Sequence, residues 1–258
     1  MLIDVTDNSD NPSAGSNETI DAAPASAAAV TGYINRTTAL PEALSAAHQD
    51  AEEFGITAPD ALTGEFLTGL MQLASGQHTS PEAQAASAAS TPVHAAAVAA
   101  TPAAGVVGLH LLAGMPHGGQ LTCIDAEVEH QSIARAAFRR AGIPATRHRF
   151  LPSRPRDVLG RLAPKAYDLI YVDVNPSEAQ AIQQLAWPLL RTGGLLIFAG
   201  LMLDGTVADQ SRTDNETQAA RAAEETFAAL ADGADGSPAA RVMRLPIQGG
   251  TTVLMKLG

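Results

Sequence analysis

From residue 94 the chain alternates short β-like runs with amphipathic helices, then abandons the alternation at its end, and this switch constrains the fold more than any other feature. His94 to Ala100, Gln120 to Asp125, Thr146 to Leu151, Tyr167 to Asp173 and Leu195 to Gly200 read as strands. Val106 to Met115, Val128 to Ala141, Pro155 to Leu162, Ser177 to Leu190 and a long run from about Thr213 to Leu230 read as helices. Such alternation predicts a mostly parallel sheet covered on both faces. The last two runs, Ala240 to Leu245 and Thr251 to Leu257, are separated by Pro246-Ile247-Gln248-Gly249-Gly250, a hairpin signal. A closing antiparallel pair departs from a dinucleotide-binding fold, which continues with parallel units.

Upstream, Leu40, Leu44, Ala47, Ala51 and Phe54 recur at helical spacing before Gly55. A second helix opens near Pro59-Asp60 and carries Leu62, Phe66, Leu67, Leu70, Met71 and Leu73 before Ser75-Gly76. Residues 33–90 are therefore expected to form a helical cap on a core of residues 91–258, with the stretch 77–90 open between helix and loose connection. Residues 1–32 hold Asp, Asn, Ser and Ala with few large apolar groups, the composition of a disordered leader.

The formal charge of -11 repels phosphate backbones and anionic lipid, so nucleic acid and membrane surfaces are not expected partners. One local exception is the basic cluster Arg135, Arg139, Arg140, Arg147, Arg149, Arg154 and Arg156. The single cysteine, Cys123, falls within a strand and reads as a buried thiol. Without a membrane span or signal peptide in the sequence, the expected compartment is the cytoplasm.

Three places can carry chemistry. The first strand runs into Thr101-Pro102-Ala103-Ala104-Gly105-Val106-Val107, a small-residue turn that either admits a ligand to the N–H groups of a helix start or serves packing alone. The second strand ends in Asp125, with Glu127 beyond it; a carboxylate there can accept both hydroxyls of a ribose, or either residue can cap the next helix. The fourth strand ends in Asp173, which faces the same crevice and can bind a cation, hold an ammonium group or cap a helix; Asn175, before Pro176, can cap as well. Of the seven histidines, His130 follows Asp125 closely enough to reach an adenine rim, whereas His94 and His110 read as packed residues and His117 as an exposed turn residue.

Taken in order, Gly105-Val-Val-Gly-Leu, Thr122-Cys-Ile-Asp-Ala-Glu-Val-Glu-His, Arg154-Pro-Arg-Asp-Val-Leu, Tyr167-Asp-Leu-Ile-Tyr-Val-Asp, Trp187-Pro-Leu-Leu-Arg-Thr-Gly-Gly and Asp204-Gly-Thr-Val-Ala-Asp resemble the bacterial branch of the catechol and caffeoyl-coenzyme A O-methyltransferase family. The resemblance covers the chain from about Leu40 onward. It implies an α/β, Rossmann-like, seven-stranded and mostly parallel sheet with the C-terminal antiparallel hairpin, S-adenosylmethionine as methyl donor, a small hydroxylated acceptor and a homodimer. Carried over by position, it implies that Asp125 holds the cofactor ribose and that Ala126, Ser153 and Arg154 lie near the adenine. Thr101, Pro102, Ala103, Gly105 and Val107 would line the methionine portion, and Asp173 would face the reactive sulfonium as the catalytic carboxylate.

The pattern also breaks. Aligned on Gly105, the family's Glu-x-Gly-x-x-x-Gly has Ala99 at the Glu and Thr101 at the first Gly, and Pro102 removes a backbone donor from the turn. An Asp-Asn metal-ligand pair after the fifth strand is replaced by Ala199-Gly200, and a lysine that helps deprotonate the acceptor is replaced by Pro176. One carboxylate does not make an octahedral oxygen site, so no metal is expected. Three functions are compatible with these residues: a metal-independent O-methyltransferase, a catalytically inactive member acting through binding or protein contacts, and a nucleotide-dependent oxidoreductase. The last lacks a Gly-x-Gly-x-x-Gly turn.

Overall fold

The computed structural model describes residues 26–76, 95–233 and 236–258. Its helices and strands, in chain order, are α1 (Ala27–Thr37), α2 (Glu42–Glu53), α3 (Ala61–Ala74), β1 (Ala96–Ala100), α4 (Ala104–Gly114), β2 (Gln120–Asp125), α5 (Val128–Arg140), β3 (His148–Pro152), α6 (Pro155–Val158), β4 (Tyr167–Val172), α7 (Pro176–Ala186), β5 (Leu190–Phe198), α8 (Asn215–Asp232), β6 (Ala240–Leu245) and β7 (Thr251–Lys256). The strands form one seven-stranded sheet in the order β3-β2-β1-β4-β5-β7-β6. The first five run parallel, and β7 lies antiparallel to both β5 and β6, as the hairpin signal predicts.

Alternation along the central strands feeds two cores. Ala97, Ala99, Leu169, Tyr171, Ile197 and Val253 pack with α2 to α5 on one face. Val98, Ala100, Ile170, Val172, Leu196 and Leu254 pack with residues of α7 and α8 on the other. Burial on both faces explains why these strands read as continuous apolar runs. Helix α4 is buried on nearly every side, between the sheet, α3 and α5. Gly108 and Gly114 permit that approach: a Cβ at Gly108 would stand 2.4 Å from Phe138, and one at Gly114 would stand 2.4 Å from the Thr68 carbonyl.

Several boundaries differ from the sequence reading. Strand β3 begins at His148 because Ala145–Arg147 form a 3-10 turn. Strand β5 starts at Leu190, paired with Tyr167 across an irregularity in the ladder, so the preceding helix ends at Ala186 and Trp187–Leu189 turn in a 3-10 arc. Helix α1 starts within the expected leader, capped by Ser26 and anchored where Asn35 donates to Asp60 and accepts from the Leu62 N–H. The rest of the expected leader, the stretch 77–90 and His94 lie outside the described residues. Among the described residues, no helix is long and apolar enough to cross a membrane.

Five of the seven clustered arginines are engaged within the fold rather than presented as a common patch. Arg135 lies over the Phe150 ring, Arg140 pairs with Asp50, and Arg147 donates to the Gly119 and Pro116 carbonyls. Arg149 donates to Thr122 and Tyr167, while Arg156 lies 3.9 Å from Glu178. Cys123 is buried, and burial pushes its thiol pKa up.

Candidate active site

Register places the candidate residues at one level. Ala100 stands opposite both Ile124 and Val172, so Thr101, Asp125 and Asp173 occupy equivalent positions at the carboxyl ends of three adjacent strands. With strands about 4.8 Å apart, the Asp125 and Asp173 backbones are separated by roughly 10 Å. Phe198 is level with Val172, which puts Ala199 beside Asp173. This carboxyl edge is where open α/β sheets bind ligands.

Asp125 is held from four directions. Its Oδ1 accepts the Glu127 N–H at 2.8 Å, and its Oδ2 lies 2.8 Å from His130 Nδ1. Its carbonyl accepts from Gln131 Nε2 at 2.8 Å and from the Ser153 N–H at 3.1 Å. The carboxylate therefore does not cap α5 in the ordinary way; the first turn of α5 reaches back and fixes it. Each oxygen retains acceptor capacity, as a vicinal diol requires. Ala126 and Arg154 are exposed and Ser153 half-buried beside it.

The turn after β1 is shaped by Thr101, whose Oγ1 accepts the Ala103 N–H at 3.1 Å and donates to Asp173 Oδ2 at 3.3 Å. The N–H groups of Ala104 and Gly105 have no acceptor among the described residues, so the start of α4 keeps free donors despite Pro102. The Gly105 Cα faces Ala134 and Ala137 of α5 while its N–H stays open at the turn, and the Val107 side chain is wholly inside the core.

Asp173 is half-buried, and its only recorded side-chain partner is Thr101. Burial raises its pKa from the ordinary carboxylate value, against a smaller lowering by the Thr101 hydroxyl. It does not cap α7. That role belongs to Asn175, whose Oδ1 accepts the Ser177 N–H at 3.0 Å, with Pro176 at the first helical position. Among the described residues, no three His, Cys, Asp or Glu side chains converge as metal ligands, and Ala199 and Gly200 offer no side-chain oxygen beside Asp173.

Of the described histidines, His130 alone contacts a candidate site residue. His110 is buried between α3 and α4, with Nδ1 3.2 Å from the Thr68 hydroxyl, and burial lowers its pKa to about 4. Composition gave no sign of two further contributors. Tyr171, one residue pair below Asp173 on the same face, donates to Gln248 Oε1 at 3.1 Å. Arg221 of α8 donates to the carbonyls of Val207, Asp209 and Arg212, holding the loop that follows β5. The hairpin sequence announced the turn around Gln248, but not that antiparallel pairing would carry it to the carboxyl end of β5. Two cavities lie away from this edge. One of about 230 Å³ is lined by Gln120, Thr122, Arg149 and Tyr167 at the opposite strand ends, and one of about 330 Å³ by Leu40, Leu44, Leu109 and Ile143.

Comparison with known proteins adds independent evidence. The O-methyltransferase family model matches residues 103–257. A relative from Mycobacterium sp. (strain KMS), provisionally named an O-methyltransferase, is 33% identical over 205 residues, 80% of this chain and 85% of its own length. A crystal structure of a Corynebacterium glutamicum protein superposes with a TM-score of 0.76 at 43% identity, covering 89% of this chain and 96% of the other. The O-methyltransferase involved in tomaymycin synthesis in Streptomyces achromogenes, solved with S-adenosylmethionine, has the same fold, with a TM-score of 0.70 at 22% identity over 89% of this chain and 96% of its own. The family match runs across most of the sheet and its hairpin, the mycobacterial relative covers four fifths of the chain, and the chain belongs to the O-methyltransferase family.

Proposed function

We propose that this protein is an S-adenosylmethionine-dependent O-methyltransferase that acts on a small hydroxylated molecule without a metal ion, working in the cytoplasm as a homodimer. The observation that carries the reading is the common level of Asp125, Thr101 and Asp173 at the carboxyl edge, with the open N–H groups of α4 between the two carboxylates. These residues suit the cofactor's parts. Asp125 retains lone pairs for a ribose diol, Ala126 is small and exposed at an adenine edge, and the start of α4 offers donors to an amino-acid carboxylate. Asp173 offers negative charge toward a sulfonium.

When bound, S-adenosylmethionine supplies a methyl group already activated by its sulfonium and leaves as the neutral thioether. The chain's task is then positioning and proton removal. Asp173, with Oδ1 uncommitted and a raised pKa, accepts the proton of the acceptor hydroxyl, the role for which Pro176 supplies no lysine. Thr101 fixes the other carboxylate oxygen and so aims Oδ1.

Isothermal titration with S-adenosylmethionine and S-adenosylhomocysteine, with and without magnesium, tests this reading. Micromolar binding that ignores magnesium and disappears in Asp125→Ala is the expected result. Folded protein that takes up neither ligand at millimolar concentration supports the inactive alternative, which Ala99, Thr101, Pro176, Ala199 and Gly200 favour. Sedimentation of the same sample tests the dimer.

A further inference from the structure

Arg149 differs from the neighbouring arginines in what it meets. Arg140 and Arg156 face carboxylates and Arg147 faces carbonyl oxygens, whereas the recorded partners of Arg149 are two hydroxyls. Its Nε donates to Thr122 Oγ1 at 2.8 Å and its Nη2 donates to the Tyr167 hydroxyl at 3.1 Å. Thr122 and Tyr167 are only 4% and 5% exposed. Both hydroxyl oxygens act as acceptors in these bonds, and among the described residues neither hydroxyl proton has an acceptor of its own. Arg149 Nη1 has none either. A guanidinium keeps its charge, so the cluster is a fixed positive charge with unsatisfied donors around it.

The fold explains why this cluster borders a cavity and not a packed core. In the order β3-β2-β1-β4, Arg149 and Tyr167 have two strands between them, and they meet by reaching toward each other across the sheet. Thr122 shares its strand face with Ile124, which packs in the core beside α7 and α8. The crossover from β3 to β4 covers that face with the four-residue α6, about 6 Å long. Five-residue β3 extends roughly 17 Å, so its amino end lies beyond the reach of α6. The result is the cavity of about 230 Å³, floored by Ala96, Thr122 and Tyr167, with Gln120, Thr146 and Arg149 exposed at its rim. Among the described residues no carboxylate lines it. Asp168, next to Tyr167, is committed to Arg191 and to the Ala96 N–H.

We propose that this cavity is a phosphate-binding site, held by Arg149 and the hydroxyls of Thr122 and Tyr167, for a phosphate carried on a small metabolite or free in solution. An ionised phosphate presents acceptors alone, and it presents them in several directions, which matches donors that come from three side chains on three strands. A carboxylate offers two oxygens in one plane and satisfies fewer of them. The cavity lies at the amino ends of the strands, the edge opposite Asp125 and Asp173, so its occupant does not compete with a ligand at the carboxyl edge.

Inorganic phosphate and glycerol phosphate are the probes, titrated at constant ionic strength in chloride and followed by phosphorus NMR line width and by melting temperature, with and without S-adenosylhomocysteine. Wild type, Arg149→Gln, Arg149→Lys and Tyr167→Phe are compared. Wild type should bind at millimolar concentration or below and melt higher as phosphate is added. Arg149→Gln should bind roughly tenfold more weakly or worse, the loss of a charge-assisted contact, and Tyr167→Phe roughly fivefold more weakly. Arg149→Lys keeps the charge without the fork and should fall between wild type and Arg149→Gln. Melting without phosphate records any structural cost of each change, whereas the rise that phosphate adds reads binding alone. Tighter uptake of glycerol phosphate identifies a metabolite as the source, and equal uptake identifies free phosphate. Wild-type protein that takes up neither probe overturns the inference, as does undiminished binding in Arg149→Gln and Tyr167→Phe. Phosphate displaced by S-adenosylhomocysteine overturns it too, because the anion then sits at the carboxyl edge.

Discussion

His130 Nδ1 stands 2.8 Å from Asp125 Oδ2, so the first turn of α5 grips the carboxylate that ends β2. Facing a carboxylate oxygen, Nδ1 is the donor, which makes the geometry of one nitrogen decisive. His130→Ala is expected to weaken S-adenosylhomocysteine binding roughly tenfold, because an unbraced carboxylate must be ordered on binding. His130→Asn places an amide nitrogen near the former Nδ1 and should retain most affinity. His130→Gln, which mimics Nε2, should not. Titration calorimetry of the three variants checks the order, and equal affinities would remove His130 from the cofactor site.

Stability and activity are expected to part company at Asp173. Its pKa is raised in the folded chain, so the native state keeps a proton to higher pH than the unfolded state does. Stability therefore falls as pH rises from the ordinary value of 3.8 through the raised one. Asp173→Asn should melt above wild type at pH 7 and show no advantage below pH 3.8. The same change should lower turnover by about 10² to 10⁴ if Asp173 is the base. Melting curves and single-turnover rates provide both readings.

His110 gives the opposite pH signature. Burial, reinforced by the nearby His48, holds its pKa at about 4 against an unfolded value of 6.5. The unfolded chain binds the proton first, so stability is complete above pH 6.5 and drains away toward pH 4, by an amount on the order of a few kcal/mol. His48, with its pKa also lowered chiefly by burial, acts in the same direction. Urea unfolding at pH 7 and pH 4.5 should show the fall, and His110→Leu should flatten it.

Gly108→Ala tests how tightly α4 is enclosed. The new methyl would meet Phe138 at 2.4 Å and Leu121 at 3.0 Å, both buried. Overpacking of this kind costs about 1–3 kcal/mol. A lower urea midpoint with an unchanged slope is expected.

Arg221 is the only described side chain that donates to three carbonyls of the 207–212 segment. Arg221→Ala should leave the melting temperature nearly unchanged and speed proteolytic cleavage within that segment by roughly tenfold, since local opening is governed by local contacts. Cleavage at the wild-type rate would show that the loop is held by other means.

The legible part of the sequence was its long-range periodicity. Strand and helix order, the hairpin and the level of Asp125 and Asp173 followed from apolar patterning, because burial on both faces of a parallel sheet leaves continuous runs that no other arrangement shields. Small residues carry two duties that residue type does not separate: the Gly105 Cα packs against α5 while its N–H stays open at the turn, and the Val107 side chain is buried in the core. Helix α1 was missed because its stability comes from Asn35 clasping Asp60 and Leu62, a tertiary contact with no local periodicity. Tyr171 and Gln248 are 77 positions apart, and only antiparallel pairing makes them neighbours.

That pairing also orders events in time. Strand β7 inserts between β5 and β6, so during synthesis β5 leaves the ribosome with one flank open until the last strands follow. An apolar strand with free edge groups is a template for other nascent chains. The turn that carries Gln248 and the cover for that sticky flank are one element, so ribosomal stalling before residue 251 would leave a chain both without that part of its carboxyl edge and prone to clump with its siblings.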